Sequence, residues 1–205
     1  MVCAAIKQVG ALNVMHGTCS FLCHVAKVGN NHMAKILLDQ GADPGIADKD
    51  GWRPLHFAAE RGSTDLVKEL ISSGADPEIQ DKNDWRPIHV AAWNGHADTI
   101  KQLLSDGCNP EVTDKEGWQA IRFAAWKGHT DVVRSLVEAG ANVHAATKLW
   151  SGIHEAQHVR PSGLYSLNEW TGQALHLAAM AASVPIISLL LNAGIDINAC
   201  SNDLA

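Results

Sequence analysis

The sequence predicts an all-α solenoid of about five stacked pairs of antiparallel helices, with hairpin-like fingers joining the pairs. Three observations predict it. The motif Asp-Lys-Xaa-Xaa-Trp recurs at Asp48, Asp81 and Asp114, each copy 33 residues after the last. An apolar block, Pro-Leu-His-Phe-Ala-Ala at Pro54, returns as Pro-Ile-His-Val-Ala-Ala at Pro87, Ala-Ile-Arg-Phe-Ala-Ala at Ala120 and Ala-Leu-His-Leu-Ala-Ala at Ala174. A Gly-Ala-Asp-Pro turn at Gly74 has relatives at Gly41, Gly107, Gly140 and Gly194. Self-similarity at such a period marks units that bury their apolar faces against one another.

Within one unit, Leu55, Ala58 and Ala59 fall at i, i+3 and i+4, one face of a first helix. The two alanines let a neighbouring helix approach closely. Gly62, with Gly95 and Gly128 in phase, is placed to end that helix in a left-handed cap. Ser63, Thr64 or Asp65 is expected to cap a second helix, whose stripe is Leu66, Val67, Leu70 and Ile71. Gly74 closes it. The polar stretch from Gly74 to Trp85 is short and rich in turn formers, and reads as a finger. Neither helix is long enough to stand alone in water, so the stability of each depends on its neighbours.

These residues resemble the ankyrin repeat family, whose pattern runs Thr-Pro-Leu-His-Xaa-Ala-Ala, Gly, then Leu-Leu-Xaa-Xaa-Gly-Ala-Asp. Units are placed at 15–47, 48–80, 81–113, 114–146 and 168–200, about four-fifths of the chain. The first unit is degenerate, with Phe21-Leu22-Cys23-His24 where Pro-Leu-His-Xaa belongs. Residues 1–14 look like the tail of an earlier unit, and 201–205 like the start of a truncated next one.

The period breaks once. From Gly140 to Gly194 the excess falls at 147–167. Three readings fit: a binding-face loop, a decayed unit in which Trp150 to Ala156 echoes Trp118 to Ala124, or a segment without a selected role. The fifth unit also carries Ala182 at the helix-ending glycine, where a left-handed backbone costs about 1 kcal/mol. Leu189 stands where other units carry Glu69, Gln102 or Ser135. The C-terminal edge therefore looks unfinished, which points to a longer parent chain or an edge that meets a partner.

Sixteen Lys and Arg against 22 Asp and Glu give a net charge of −6, which argues against a basic nucleic-acid grip. No apolar run reaches membrane-spanning length, and the N-terminus lacks a secretory pattern. Five scattered cysteines fit reduced thiols in a cytoplasmic or nuclear setting. The expected partner is a protein or peptide segment, with no nucleic acid, membrane, small-molecule substrate, cofactor or metal.

The resemblance implies that Trp52, Trp85 and Trp118, in the fingers, and Trp93 and Trp126, at first-helix ends, occupy variable positions on a concave groove. Tryptophan there suits a binding hot spot. The finger set has a second reading, in which those indoles stack on one another between adjacent fingers. Arg53, Arg61, Arg86, Asn94 and Lys127 complete the expected partner-binding set, interleaving cations with indoles. Arg53 and Arg86 replace the family's Thr, which puts the usual finger hydrogen bonding in question.

The same resemblance gives His56, His89 and His176 a structural role, hydrogen-bonding neighbouring loops. His16, Cys19, Cys23 and His24 can be drawn as a zinc set, but their spacing matches no strong finger pattern. Asp43, Asp76 and Asp196, with Asn109 and Asn142, recur once per unit, which fits turn chemistry and not a catalytic pair. No phosphate loop or hydrolase elbow occurs. The expected function is a non-enzymatic scaffold holding a partner segment in a Trp-rich groove. The alternative is a structural or regulatory segment making contacts within a larger protein.

Overall fold

The computed structural model describes residues 15–16, 19–144 and 174–195. Two short strands, β1 (Met15–His16) and β2 (Cys19–Ser20), pair antiparallel ahead of the first helix. Among the described residues five helix pairs follow: α1 (Phe21–Val28) with α2 (Asn31–Asp39), α3 (Pro54–Arg61) with α4 (Thr64–Ser72), α5 (Pro87–Asn94) with α6 (Ala97–Ser105), α7 (Ala120–Lys127) with α8 (Thr130–Glu138), and α9 (Ala174–Met180) with α10 (Val184–Asn192). First helices stack on first helices and second on second, through to α9 on α7 and α10 on α8. The array therefore continues across the break in period. The segments 1–14 and 201–205 and the excess at 147–167 lie outside the described residues.

The core is one continuous apolar seam. It includes the paired alanines Ala58–Ala59, Ala91–Ala92 and Ala124–Ala125, all fully buried. Leu66, Val67 and Leu70 fill the same seam from α4, and Ile100 and Leu103 do so from α6. Helices of seven to nine residues are too short to persist alone, so inter-unit burial carries the fold.

Gly62, Gly95 and Gly128 adopt φ of 67°, 81° and 78°, ending the first helices as predicted. At the first two the missing side chain has a second use. A Cβ on Gly62 would come within 2.5 Å of the His96 ring, and one on Gly95 within 2.7 Å of the His129 ring. The expected second-helix cap is a correction. Ser63 holds the N-cap position without a side-chain hydrogen bond. Its backbone makes a tight three-residue turn instead, with Thr64 N–H donating to the Gly62 carbonyl at 2.9 Å. Thr64 is thereby free to meet Thr99 of the next unit, oxygen to oxygen, at 3.1 Å. Second helices close as read: Gly74 N–H donates to Ile71 O and Ala75 N–H to Leu70 O.

The recurring Asp or Asn after Gly-Ala is a turn device. Oδ1 of Asp43, Asp76, Asn109 and Asn142 each accepts from the backbone two residues on. Ala182 adopts φ 52°, the left-handed conformation expected of it, and Asp84 adopts φ 59° where Gly51 and Gly117 stand in sister fingers.

Candidate partner-binding face

The Asp-Lys-Xaa-Xaa-Trp motif is a closed turn. Asp48, Asp81 and Asp114 each donate N–H to the carbonyl of the Trp four residues on, at 2.7, 2.9 and 3.1 Å. Each carboxylate accepts the N–H of that same Trp, at 2.8, 2.9 and 2.7 Å. The Trp backbone is thus pinned at the finger base. The lysines then link fingers: Lys82 Nζ donates to the Lys49 carbonyl, and Lys115 Nζ to the Lys82 carbonyl.

The indoles gather unevenly. Phe123, buried on α7, is the hub. Its ring centroid lies 4.8 Å from Trp85, 5.7 Å from Trp93 and 5.1 Å from Trp118. Trp93 meets Trp126 at 5.5 Å and Trp85 at 5.7 Å, both edge to face. Trp118 meets Trp126 at 5.6 Å. Phe123 therefore sits between the finger rings of Trp85 and Trp118, in place of the direct stacking of fingers weighed above. Trp118, only 6 % exposed, forms the floor of the cluster, while Trp85, Trp93 and Trp126 are half-buried. Trp52 stands apart, packed on Phe57 at 5.1 Å, with its Nε1–H donated to Asp81 Oδ2 at 3.0 Å.

The cations divide. Lys127 Nζ lies 3.9 Å from the Trp93 centroid and 5.5 Å from that of Trp126, roofing both indoles. Arg53, Arg61 and Arg86 each donate to backbone carbonyls of the scaffold. Arg53 donates to the carbonyls of Gly45, Gly51 and Gln80. Arg86 donates to Thr113 O at 3.1 Å, and its Nε lies 3.1 Å from Glu78 Oε2, an ion pair without hydrogen-bond alignment. Arg61 Nε donates to the Lys27 carbonyl of the preceding unit. The arginines thus take over the tying of finger to unit that the absent Thr left in question. Asn94 turns its amide onto the Val90 carbonyl of its own helix at 2.9 Å.

The histidine slot is a relay between units. His56 Nδ1 accepts from Arg53 N–H, so Nε2 carries the proton and donates to Trp85 O at 3.1 Å. His89 does the same between Arg86 N–H and Val112 O, at 3.2 and 2.9 Å. Burial holds both below the ordinary histidine pKa, His89 at about 4. Cys23 fills the slot in the first unit, its thiol donating to Ile46 O at 3.3 Å. His24 is exposed, and among the described residues no three His, Cys, Asp or Glu side chains are grouped to hold a metal. His96 and His129 reach back, with Nε2 at 2.8 Å from Glu60 O and 3.0 Å from Trp93 O.

Sequence reasoning passed over Phe123 and Arg122. Phe123 stands at an apolar motif position shared with Phe57 and Val90, so only its neighbours set it apart. Arg122 carried a signal, being an arginine where sister units have histidine.

Two family models match the chain. One for ankyrin repeats (3 copies) matches residues 22–114 and 63–147, and one for a single ankyrin repeat matches 174–202. No curated protein matches. Stacked helix pairs, closed fingers and these matches over more than half the sequence place the chain in the ankyrin repeat family, whose arrays serve as protein–protein interaction modules.

Proposed function

We propose that the module is a non-enzymatic scaffold that seats an extended partner segment along the face where fingers meet first helices, centred on Trp93 and Trp126. One observation carries the reading. Trp85, Trp93 and Trp126 form a contiguous, partly exposed aromatic surface, with Lys127 over the Trp93 and Trp126 rings. Such rings bury a large area with few rotors to order, and the closed fingers leave little backbone entropy to lose. Trp118 and Phe123 support that surface from below; Trp52, Arg53, Arg61 and Arg86 shape its margin.

A peptide-display selection on the full chain tests this. Selected peptides are expected to lose tenfold or more in affinity on W93A/W126A, while that protein still melts within a few degrees of the parent. Retained affinity sinks the reading; outright unfolding makes those rings core.

The second reading, contacts within a larger protein, has its own support. On α10, Val184 is 69 % and Leu191 37 % exposed. Leu189 and Pro185 line an open cleft of about 430 Å³ against Val137 and Arg134 of α8. Self-association or peptide binding abolished by V184E/L191E, with W93A/W126A neutral, would favour it.

A further inference from the structure

Arg122 fills on α7 the slot that His56 and His89 fill on α3 and α5. Those imidazoles donate to a carbonyl of the next finger and leave no polar atom idle. The guanidinium does otherwise. It is 1 % exposed, lies 4.6 Å over the Trp118 ring, and its Nη1 reaches Gly117 O at a long 3.4 Å. Its Nε and Nη2 are buried with no hydrogen-bond partner. Those two nitrogens share one side of the guanidinium plane and make a complete two-pronged donor edge. Among the described residues no carboxylate lies within ion-pair distance of it. Asp114 attracts it more weakly, and burial lowers its pKa only to about 10, so it stays charged at neutral pH.

Among the described residues nothing uses this edge, and neither His56 nor His89 leaves one like it in the same slot. A buried charge without a partner disfavours the fold, so its retention points to something that binds. The donor set selects the ligand. Two parallel N–H groups match a planar two-oxygen anion. One lone cation, an aromatic wall and Asp114 nearby disfavour a multiply charged phosphate.

We infer that Arg122 anchors a carboxylate-binding site, its Nε–H and Nη2–H donating together to both oxygens of the anion with the Trp118 ring beside them. Trp126 lies one helical turn along α7 and touches Trp118, which sets the site beside the aromatic face. The carboxylate is that of a chain terminus, an acidic side chain or a free small acid. The site shares its face with the proposed groove and rests on that reading only for this placement. The test uses no protein partner, so the two fail separately.

Arginine Nε–H signals of the ¹⁵N-labelled full chain are followed during titration with acetate, N-acetylglycine and N-acetylglutamate α-amide, against chloride at equal ionic strength. One signal, absent from R122H, is expected to move saturably with carboxylate and not with chloride. Tenfold tighter binding of N-acetylglycine assigns a chain terminus, of the glutamate amide a side chain, and no preference a free acid. If the signal is too broad to follow, the melting temperature decides: carboxylate raises the parent's and leaves that of R122H unchanged. R122Q replaces R122H if the latter does not fold. No response to any of the three carboxylates, or an equal response to chloride or in the variant, overturns the site.

Discussion

Replacing Arg122 with His should stabilise the free protein by about 1–3 kcal/mol, because it removes two orphaned donors and a desolvated charge. Urea denaturation checks this, and a less stable R122H would mean that the guanidinium serves the fold. The histidines set the acid response. Protonating His89 would put a proton on Nδ1, against the Arg86 N–H it now accepts from. With its pKa held down from 6.5 to about 4, the folded protein binds that proton more weakly than the unfolded chain does. Its stability contribution is whole above about 6.5 and is lost as pH falls towards 4, by up to about 3 kcal/mol. Asp114 acts oppositely. Burial raises its carboxyl to about 6, so the folded state holds this proton more tightly and gains as pH falls from 6 towards 3.8. D114N keeps an oxygen for the Trp118 and Glu116 N–H groups and removes only the gain. Its stability should therefore fall more steeply than the parent's between pH 6.5 and 4, in urea titrations at stepped pH; an unchanged slope contradicts the assignment. At this scale the sequence was least legible. Spacing set Arg53 and Arg86 next to Trp52 and Trp85 in the sequence, but could not tell a cation open to a partner from one that donates to finger carbonyls.

Among elements, the turns distinguish what glycine is for. Ala182 and Asp84 hold left-handed backbone that sister units give to glycine at the matching positions. A182G and D84G should each raise stability by about 1 kcal/mol. G95A should lower it by more than that, because its new methyl also displaces the His129 ring and its contact with Trp93 O. Thermal melts of the three variants rank them, and an equal loss on G95A and gain on A182G would mean that backbone conformation alone decides. The helices and their glycine ends were legible because an apolar period of 3.6 and a left-handed cap each leave a local mark. The missing Ser63 cap was not, because a tight backbone turn before α4 replaces it and leaves Thr64 to meet Thr99 of another unit. Phe123 as hub was illegible for the same reason: its partners lie on other units.

Over the whole molecule, nearest-neighbour burial implies unequal consequences for equal cavities. Leu103 on α6 and Leu190 on α10 are both fully buried. Leu→Ala at either removes a comparable side chain, at about 2–5 kcal/mol in a well-packed core. L103A should break the array in the middle and broaden or split its unfolding transition, whereas L190A should loosen only the last pair. Hydrogen exchange on both variants reads this directly; protection lost uniformly in L190A would show one indivisible core.

The slot residues have a consequence for how the chain is made. Trp85 O, which His56 needs, is encoded 29 positions downstream, and Val112 O lies 23 beyond His89. At ribosomal rates of roughly 5–20 residues per second, each buried imidazole waits on the order of seconds for its acceptor to emerge. During that interval the newest helix pair is unlatched, so nascent chains should consolidate one module behind the point of synthesis.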